Sequence, residues 1–225
     1  MTTKLKGVVF DMDGVIIESE HTHYQAICEA MGKRMNQSYE TFLTNCTGGD
    51  ERFAMGLLAE FSEIEYDEST FQLWSQRKAK AYRRLVSESA KAMPGAVDLV
   101  LSAAEHFPIA LATGSRKVDV DAALEVLAGG RLKGIFQIIV SSSDVNKPKP
   151  HPATYEMAIE GIGLPAENCM AIEDSANGIT SAKEAGLRVL GVSVMHGRDA
   201  LQEADWCSDS LEKISVEELI RLFQF

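Results

Sequence analysis

The sequence lacks the features that mark three large classes of protein. Its four cysteines, Cys28, Cys46, Cys169 and Cys207, are spaced too widely for a C-x-x-C zinc site or a dense disulfide framework. No apolar stretch approaches the roughly 20 residues of a membrane span. Positive charge is scarce too, since 22 Lys and Arg face 33 Asp and Glu, a formal net charge of −11. We therefore expect free thiols, no nucleic-acid or membrane partner, and a soluble cytoplasmic protein.

Short apolar runs alternate with helical patterns along most of the chain. The runs have the length of buried strands, and the stretches between them space apolar residues three and four positions apart, as helices do. This alternation predicts an α/β fold with a doubly wound parallel sheet. The predicted strands are 7–10, 109–112, 135–140, 169–172 and 189–194, and the predicted helices are 95–106, 117–127, 153–161, 176–186 and 215–225.

One long segment does not follow this alternation of strand and helix patterns. Residues 20–89 are charged and rich in helix formers, without a run of β-branched residues. Proline and glycine stop the helical pattern at Met93-Pro94-Gly95. We expect a helical domain of residues 18–90, inserted into a core domain of residues 1–17 and 91–225. Its two connections to the core would form a hinge.

Chemically active side chains follow four of the predicted strands. In an open parallel sheet the ligand site lies at the carboxyl ends of the strands, so these side chains should meet. Each segment alone has an ordinary explanation as a turn, a helix cap, a proline-rich spacer or an acidic first turn of a helix. Their coincidence at successive strand ends favours one shared site. The segments are Asp11-Met12-Asp13-Gly14, Thr113-Gly114-Ser115, Lys147-Pro148-Lys149-Pro150 and Glu173-Asp174-Ser175.

The acidic residues of this set suit phosphoryl transfer with a bound magnesium ion. Asp11, Glu173 and Asp174 offer the hard oxygen ligands that Mg²⁺ prefers. A carboxylate can attack phosphorus and form an aspartyl-phosphate. Asp13, two residues after Asp11, would then be the general acid that protonates the leaving oxygen and the base that activates water.

Together the segments resemble the four motifs of the haloacid dehalogenase superfamily. The particular residues in these motifs are similar to those of the branch that contains β-phosphoglucomutase and related sugar phosphatases. Asp11-Met12-Asp13-Gly14-Val15 matches DxDGV, Thr113 the second motif and Glu173-Asp174-Ser175 the acidic fourth motif. The resemblance covers nearly the whole chain. It implies a Rossmann-like core, an inserted α-helical cap, Mg²⁺ dependence and an aspartyl-phosphate intermediate. It also implies that Asp11 is nucleophile and metal ligand, and that the backbone carbonyl of Asp13 binds the metal. Glu173 and Asp174 complete the metal shell.

Two lysines compete for the third motif, because both Lys147 and Lys149 precede a proline. In this branch the lysine stands six residues before an aromatic residue and 24 before the acidic pair. Lys149 satisfies both counts, with Tyr155 and Glu173 at those positions, whereas Lys147 satisfies neither. We assign Lys147 to the loop, and expect the Lys149 ammonium and the Thr113 hydroxyl to stabilise the phosphoryl oxygens.

Further residues are candidates for binding phosphate or substrate. The resemblance places His23 at a cap histidine that couples substrate binding to closure, and Lys78 at a substrate-facing lysine. The alternative for each is an ordinary surface residue. Gly114, Ser115 and Arg116, which follow Thr113, are candidates for contact with the phosphate. Arg116 and Lys117 would add positive potential for an anionic substrate, although a capped helix with solvated basic residues has the same pattern.

The cap loop departs from the mutase pattern. The mutase places a phosphate-binding arginine three residues after a glycine, but here Glu51 stands three residues after Gly48, and Arg52 comes one step late. Arg52 would restore that contact if the loop shifts by one residue. Ile27 also stands where the mutase has tryptophan. A mutase must hold a second phosphate, so these departures favour a simple phosphatase.

The sequence thus predicts a Mg²⁺-dependent phosphatase that acts on a small phosphorylated metabolite, a sugar or polyol phosphate. A phosphosugar mutase on the same site is the alternative. A phospho-receiver domain is a remote alternative, because receiver domains are much shorter and their acidic pair precedes the phosphorylated aspartate in the chain. Dehalogenases of the superfamily lack the second aspartate, which this chain has as Asp13. We expect a monomer or weak dimer.

Overall fold

One parallel sheet organises the residues that the computed structural model describes, which are 4–46, 50–193 and 201–224. Its strands are β1 (Gly7–Phe10), β2 (Ile109–Ala112), β3 (Ile138–Val140), β4 (Cys169–Glu173), β5 (Arg188–Val192) and β6 (Trp206–Ser208). Their order in the sheet is β3-β2-β1-β4-β5-β6, and every pair of neighbours is parallel. The α/β fold class predicted from the sequence is therefore confirmed.

Four strands differ from the sequence pattern. β4 ends at Glu173, one residue later than predicted. β3 begins at Ile138 rather than at residue 135, because Phe136 belongs to the preceding turn and packs on Phe10 with ring centroids 6.4 Å apart. β5 begins one residue early and ends at Val192, and the predicted end at Val194 lies outside the described residues. β6 was not predicted, since three partly exposed residues on the sheet edge produce no apolar run.

The described α-helices are α1 (Glu20–Met31), α2 (Tyr39–Asn45), α3 (Glu51–Phe61), α4 (Glu68–Ser89), α5 (Ala96–His106), α6 (Lys117–Val126), α7 (Ala153–Ile162), α8 (Ala176–Glu184) and α9 (Val216–Phe223).

The central strand β1 is buried on both faces, which explains its continuous apolar sequence. Val8 and Phe10 face one hydrophobic cluster, which α5, α6 and α9 cover. Val9 faces the second cluster, which α7 and α8 cover.

The four helices α1 to α4 lie between β1 and β2 in the chain and share a hydrophobic cluster that includes Ile27 and Trp74. The chain leaves and re-enters the sheet side by side, because Glu18 N donates to Lys91 O at 2.9 Å and Ile17 forms an antiparallel bridge with Ala92. We propose the division expected from the sequence, with residues 18–90 as the cap and residues 1–17 and 91–225 as the core.

The structure bears on two features of the sequence, the cysteines and the membrane-spanning segments. All four cysteines are free thiols, as their spacing predicts. Among the described residues, no helix combines the length and apolar character needed to cross a membrane.

The turn before α5 offers a test of this packing. Gly95 has φ +80°, and a Cβ there would lie 2.4 Å from Glu212 N, whereas Gly163 has φ +69° and open space around it. Gly163→Ala should lower the free energy of unfolding by about 1 kcal/mol through backbone strain alone. Gly95→Ala should lower it by about 3 kcal/mol, since the methyl also meets backbone. Urea denaturation measures both, and equal losses would contradict the packing described.

Candidate active site

The carboxyl ends of β1, β2 and β4 lie side by side in the sheet, and the residues after them line one pocket. Core and cap both contribute to its walls, so a ligand in it would contact both. From the core come Asp11, Asp13, Gly114, Ser115, Lys149 and Asp174, and from the cap come His23, Glu51 and Lys78.

Lys149 lies at the centre of the pocket floor. Its Nζ donates to Asp11 Oδ1 at 2.8 Å, to Glu173 Oε1 at 2.6 Å and to Ala112 O at 3.0 Å. Burial alone would lower the pKa of Lys149, but the two carboxylates outweigh it and hold that pKa above its ordinary value. The ammonium is thus a fixed positive charge. Lys147, the competing lysine, is exposed.

Three carboxylates crowd around this one ammonium. Asp11, Glu173 and Asp174 are buried, and each offers an oxygen within 4.8 Å of the others. Burial, against the attraction of Lys149, raises the pKa of Asp11 to about 8, and burial beside Glu173 raises that of Asp174. The surplus negative charge and the hard oxygen donors fit a divalent cation such as Mg²⁺. Asp13 is not part of this cluster.

Glu173 also organises the turn after β4. Its Oε1 accepts a hydrogen bond from the Tyr155 hydroxyl at 2.9 Å as well as from Lys149. Its Oε2 accepts from Asp174 N at 3.0 Å and from both the backbone N and the Oγ of Ser175, at 3.2 and 3.1 Å. The sequence shows Tyr155 only as the aromatic residue six positions after Lys149. In the structure its hydroxyl holds the Glu173 carboxylate in place.

Four side chains surround Asp13. Oδ1 accepts from Ser19 Oγ and lies 3.1 Å from His23 Nε2, while Oδ2 accepts from Ser115 Oγ at 2.6 Å and from Thr113 Oγ1 at 3.4 Å. Burial alone would raise the pKa of Asp13, but His23 and the hydrogen bonds from Ser115 and Ser19 lower it well below its ordinary value. Ser19 was not predicted as a site residue, because a serine before a helix is normally a cap; here its side chain makes no cap bond.

The predicted substrate lysine, Lys78, is buried and paired. Its Nζ lies 2.5 Å from Asp119 Oδ2 in the core and 3.2 Å from Glu51 Oε2 in the cap. Arg116, the predicted basic residue after the second motif, donates to Ser75 Oγ and lies 3.3 Å from Glu51 Oε1. These ion pairs join α3 and α4 of the cap to the core on one side of the pocket.

The structure corrects the expectation for Arg52. Its guanidinium pairs with Glu68 at 2.6 Å and lies over the Phe71 ring, 3.8 Å from the centroid, and it does not line the pocket. Successive residues of a helix point about 100° apart, so the start of α3 at Glu51 directs that side chain inward and Arg52 away. Gly48, the other predicted residue of this loop, lies outside the described residues.

Glu20 is a further pocket residue that sequence reasoning missed. It is buried in the first turn of α1, and burial raises its pKa to about 7 despite the nearby His23. An acidic residue at a helix N-terminus is ordinary, because it complements the helix dipole, so nothing in the sequence distinguishes this one.

Known proteins share both the sequence and the fold. The family model for haloacid dehalogenase-like hydrolases matches residues 5–186. Protein CbbY of Rhodobacter capsulatus is 31% identical over 97% of this chain and 99% of its own. A phosphorylated carbohydrates phosphatase of Thermotoga maritima is 30% identical over 84% of this chain and 85% of its own.

Solved structures agree. A mutant of CbbY from Rhodobacter sphaeroides, crystallised with xylulose 1,5-bisphosphate, has a TM-score of 0.88 at 24% identity, covering 96% of this chain and 99% of that one. The resemblance carried by the four motifs is thereby confirmed. The chain belongs to the haloacid dehalogenase-like hydrolase family.

Proposed function

We propose that the chain is a Mg²⁺-dependent phosphatase that hydrolyses the phosphate monoester of a small sugar or polyol through an aspartyl-phosphate. The observation that carries this proposal is the buried cluster of Asp11, Glu173 and Asp174 around Lys149, with Asp13 held beside it. The name of the Thermotoga relative, a phosphatase of phosphorylated carbohydrates, supports the substrate class.

An anionic substrate has to enter a pocket whose floor holds three carboxylates and one lysine. Mg²⁺ held by Asp11, Asp174 and Glu173 would reverse the local charge and polarise the phosphoryl oxygens. That the Asp13 backbone carbonyl completes this shell stays a prediction.

In the first step the Asp11 carboxylate attacks the substrate. A carboxylate oxygen forms a bond to phosphorus while the bond between phosphorus and the ester oxygen breaks. Asp13 is ionised in the free site, and an anionic phosphate bound beside it would raise its pKa so that it takes up a proton. It gives that proton to the ester oxygen, so the alcohol leaves uncharged. The Lys149 ammonium and the Thr113 hydroxyl stabilise the negative charge on the phosphoryl oxygens.

In the second step water releases the phosphate. Asp13, now ionised, takes a proton from a water molecule as the water oxygen bonds to phosphorus and the bond to Asp11 breaks. The hydrogen bonds from Ser19 and Ser115 stabilise the ionised form of Asp13 that this step needs. Inorganic phosphate leaves, and both aspartates regain their starting forms.

The cap side of the pocket supports a phosphatase over a mutase. A mutase has to hold a second phosphate, which calls for cations with free hydrogen-bonding capacity. Lys78 is paired with the carboxylates of Glu51 and Asp119, and Arg116 donates a hydrogen bond to Ser75 Oγ of the cap. Arg52 is paired with Glu68, away from the pocket.

The nucleophile assignment predicts the effect of Asp11→Asn. The neutral amide cannot attack phosphorus, so hydrolysis of p-nitrophenyl phosphate with Mg²⁺ should fall by a factor of about 10³ or more. Asp98→Asn, at an exposed position of α5, is the matched control and should keep the wild-type rate. Survival of the wild-type rate in Asp11→Asn would show that the assignment is wrong.

Phosphatase and mutase predict different products. With β-glucose 1-phosphate and a catalytic amount of glucose 1,6-bisphosphate, we expect free phosphate to accumulate, measured by a colorimetric phosphate assay. A coupled assay follows glucose 6-phosphate in the same samples. Rapid formation of glucose 6-phosphate with negligible phosphate release would overturn the phosphatase proposal.

The metal assignment predicts a thermal shift. Mg²⁺ at 100 times its Kd should raise the Tm by about 5 to 10 °C, because it stabilises the folded state by about 2.7 kcal/mol. Asp174→Asn removes one carboxylate ligand and should give a clearly smaller shift. NaCl of equal ionic strength serves as the control. Equal Mg²⁺ shifts in wild type and variant would contradict the role of Asp174.

A further inference from the structure

The cap side of the pocket carries two cations and two carboxylates in contact. Lys78 and Glu51 come from the cap, and Arg116 and Asp119 come from the core. All four line the same pocket as Asp11 and Asp13. Their formal charges cancel, so this wall has no net positive charge to offer a second anionic group of a substrate.

Glu51 is the residue that contacts both cations. Its side chain is 8% exposed, with Oε2 3.2 Å from Lys78 Nζ and Oε1 3.3 Å from Arg116 Nη1. Oε1 also accepts a hydrogen bond from Ser75 Oγ. A second phosphate could pair with these cations only by displacing a buried carboxylate that is already held by three groups.

Two neighbouring carboxylates strengthen this effect. Asp119 holds Lys78 from the core, and its second oxygen, Oδ1, is buried without a hydrogen-bond donor among the described residues. Asp50, next to Glu51, also lines the pocket, where its carboxylate caps α3 by accepting from Phe53 N at 2.7 Å. Carboxylates accept hydrogen bonds from sugar hydroxyls but repel phosphate.

We propose that Glu51 is a specificity-determining residue that makes this enzyme prefer a phosphate monoester with an uncharged, hydroxyl-bearing tail over the corresponding bisphosphate. The inference rests on the proposed function, because it concerns the substrate of the same site. It distinguishes the chain from a bisphosphate binder such as the CbbY mutant crystallised with xylulose 1,5-bisphosphate. Selectivity here comes from an element that repels the wrong substrate.

The test compares kcat/KM for two matched pairs of substrates, fructose 1-phosphate with fructose 1,6-bisphosphate and glucose 1-phosphate with glucose 1,6-bisphosphate. The wild type should favour the monophosphate in each pair that it hydrolyses. Glu51→Gln leaves an acceptor in place but frees a cation, and should move the ratio about tenfold towards the bisphosphate. Asp50→Asn, which preserves the helix cap, should move it in the same direction.

The control is Glu60→Gln, an exposed position on the same helix, which should leave the ratio unchanged. An equal fall of kcat/KM for both members of a pair in Glu51→Gln would overturn the proposal, since Glu51 would then only join cap to core. A wild type that hydrolyses the bisphosphate at least as well as the monophosphate would overturn it without any variant. Failure to release phosphate from these esters or from p-nitrophenyl phosphate would instead overturn the proposed function, and the inference with it.

Discussion

Burial of more acidic than basic side chains at one edge of the sheet is the constraint on which this site depends. Three acidic side chains and one ammonium are buried there, and the raised pKa values of Asp11 and Asp174 mean that the single lysine does not keep all three acids ionised. The arrangement persists because Asp11 directly follows β1 and Glu173 ends β4, the adjacent strand of a buried sheet. Because this edge has fewer basic than acidic side chains, it favours the binding of a divalent cation. The bound cation would in turn attract an anionic substrate.

Two glycines let the backbone approach these carboxylates. A Cβ on Gly178 would lie 1.8 Å from Glu173 Oε1, and one on Gly14, where φ is +76°, would lie 1.9 Å from Asp174 Oδ2. The glycine of the first motif therefore has a steric reason that involves a residue of the fourth motif. The two motifs are distant in the chain, yet they form one packing unit across β1 and β4.

The parts of the fold and site that could be predicted are those where local sequence decides position. Strand ends in a parallel sheet share an edge, so Asp11, Thr113 and Glu173 could be brought together from the sequence alone. The remaining features arise from side-chain direction and long-range pairing. Neighbouring residues Glu51 and Arg52 differ in environment only because of where α3 begins, and a three-residue edge strand carries no periodic signal.

The position of β1 has a consequence for how the chain acquires this structure. Val9 pairs with Ala110 on one side and with Ala171 on the other, so β1 lies inside the sheet and both of its neighbours come much later in the chain. During synthesis the cap helices precede any partner for this strand. An apolar segment with unpaired edges is the kind of segment that aggregates, and such non-local pairing slows folding.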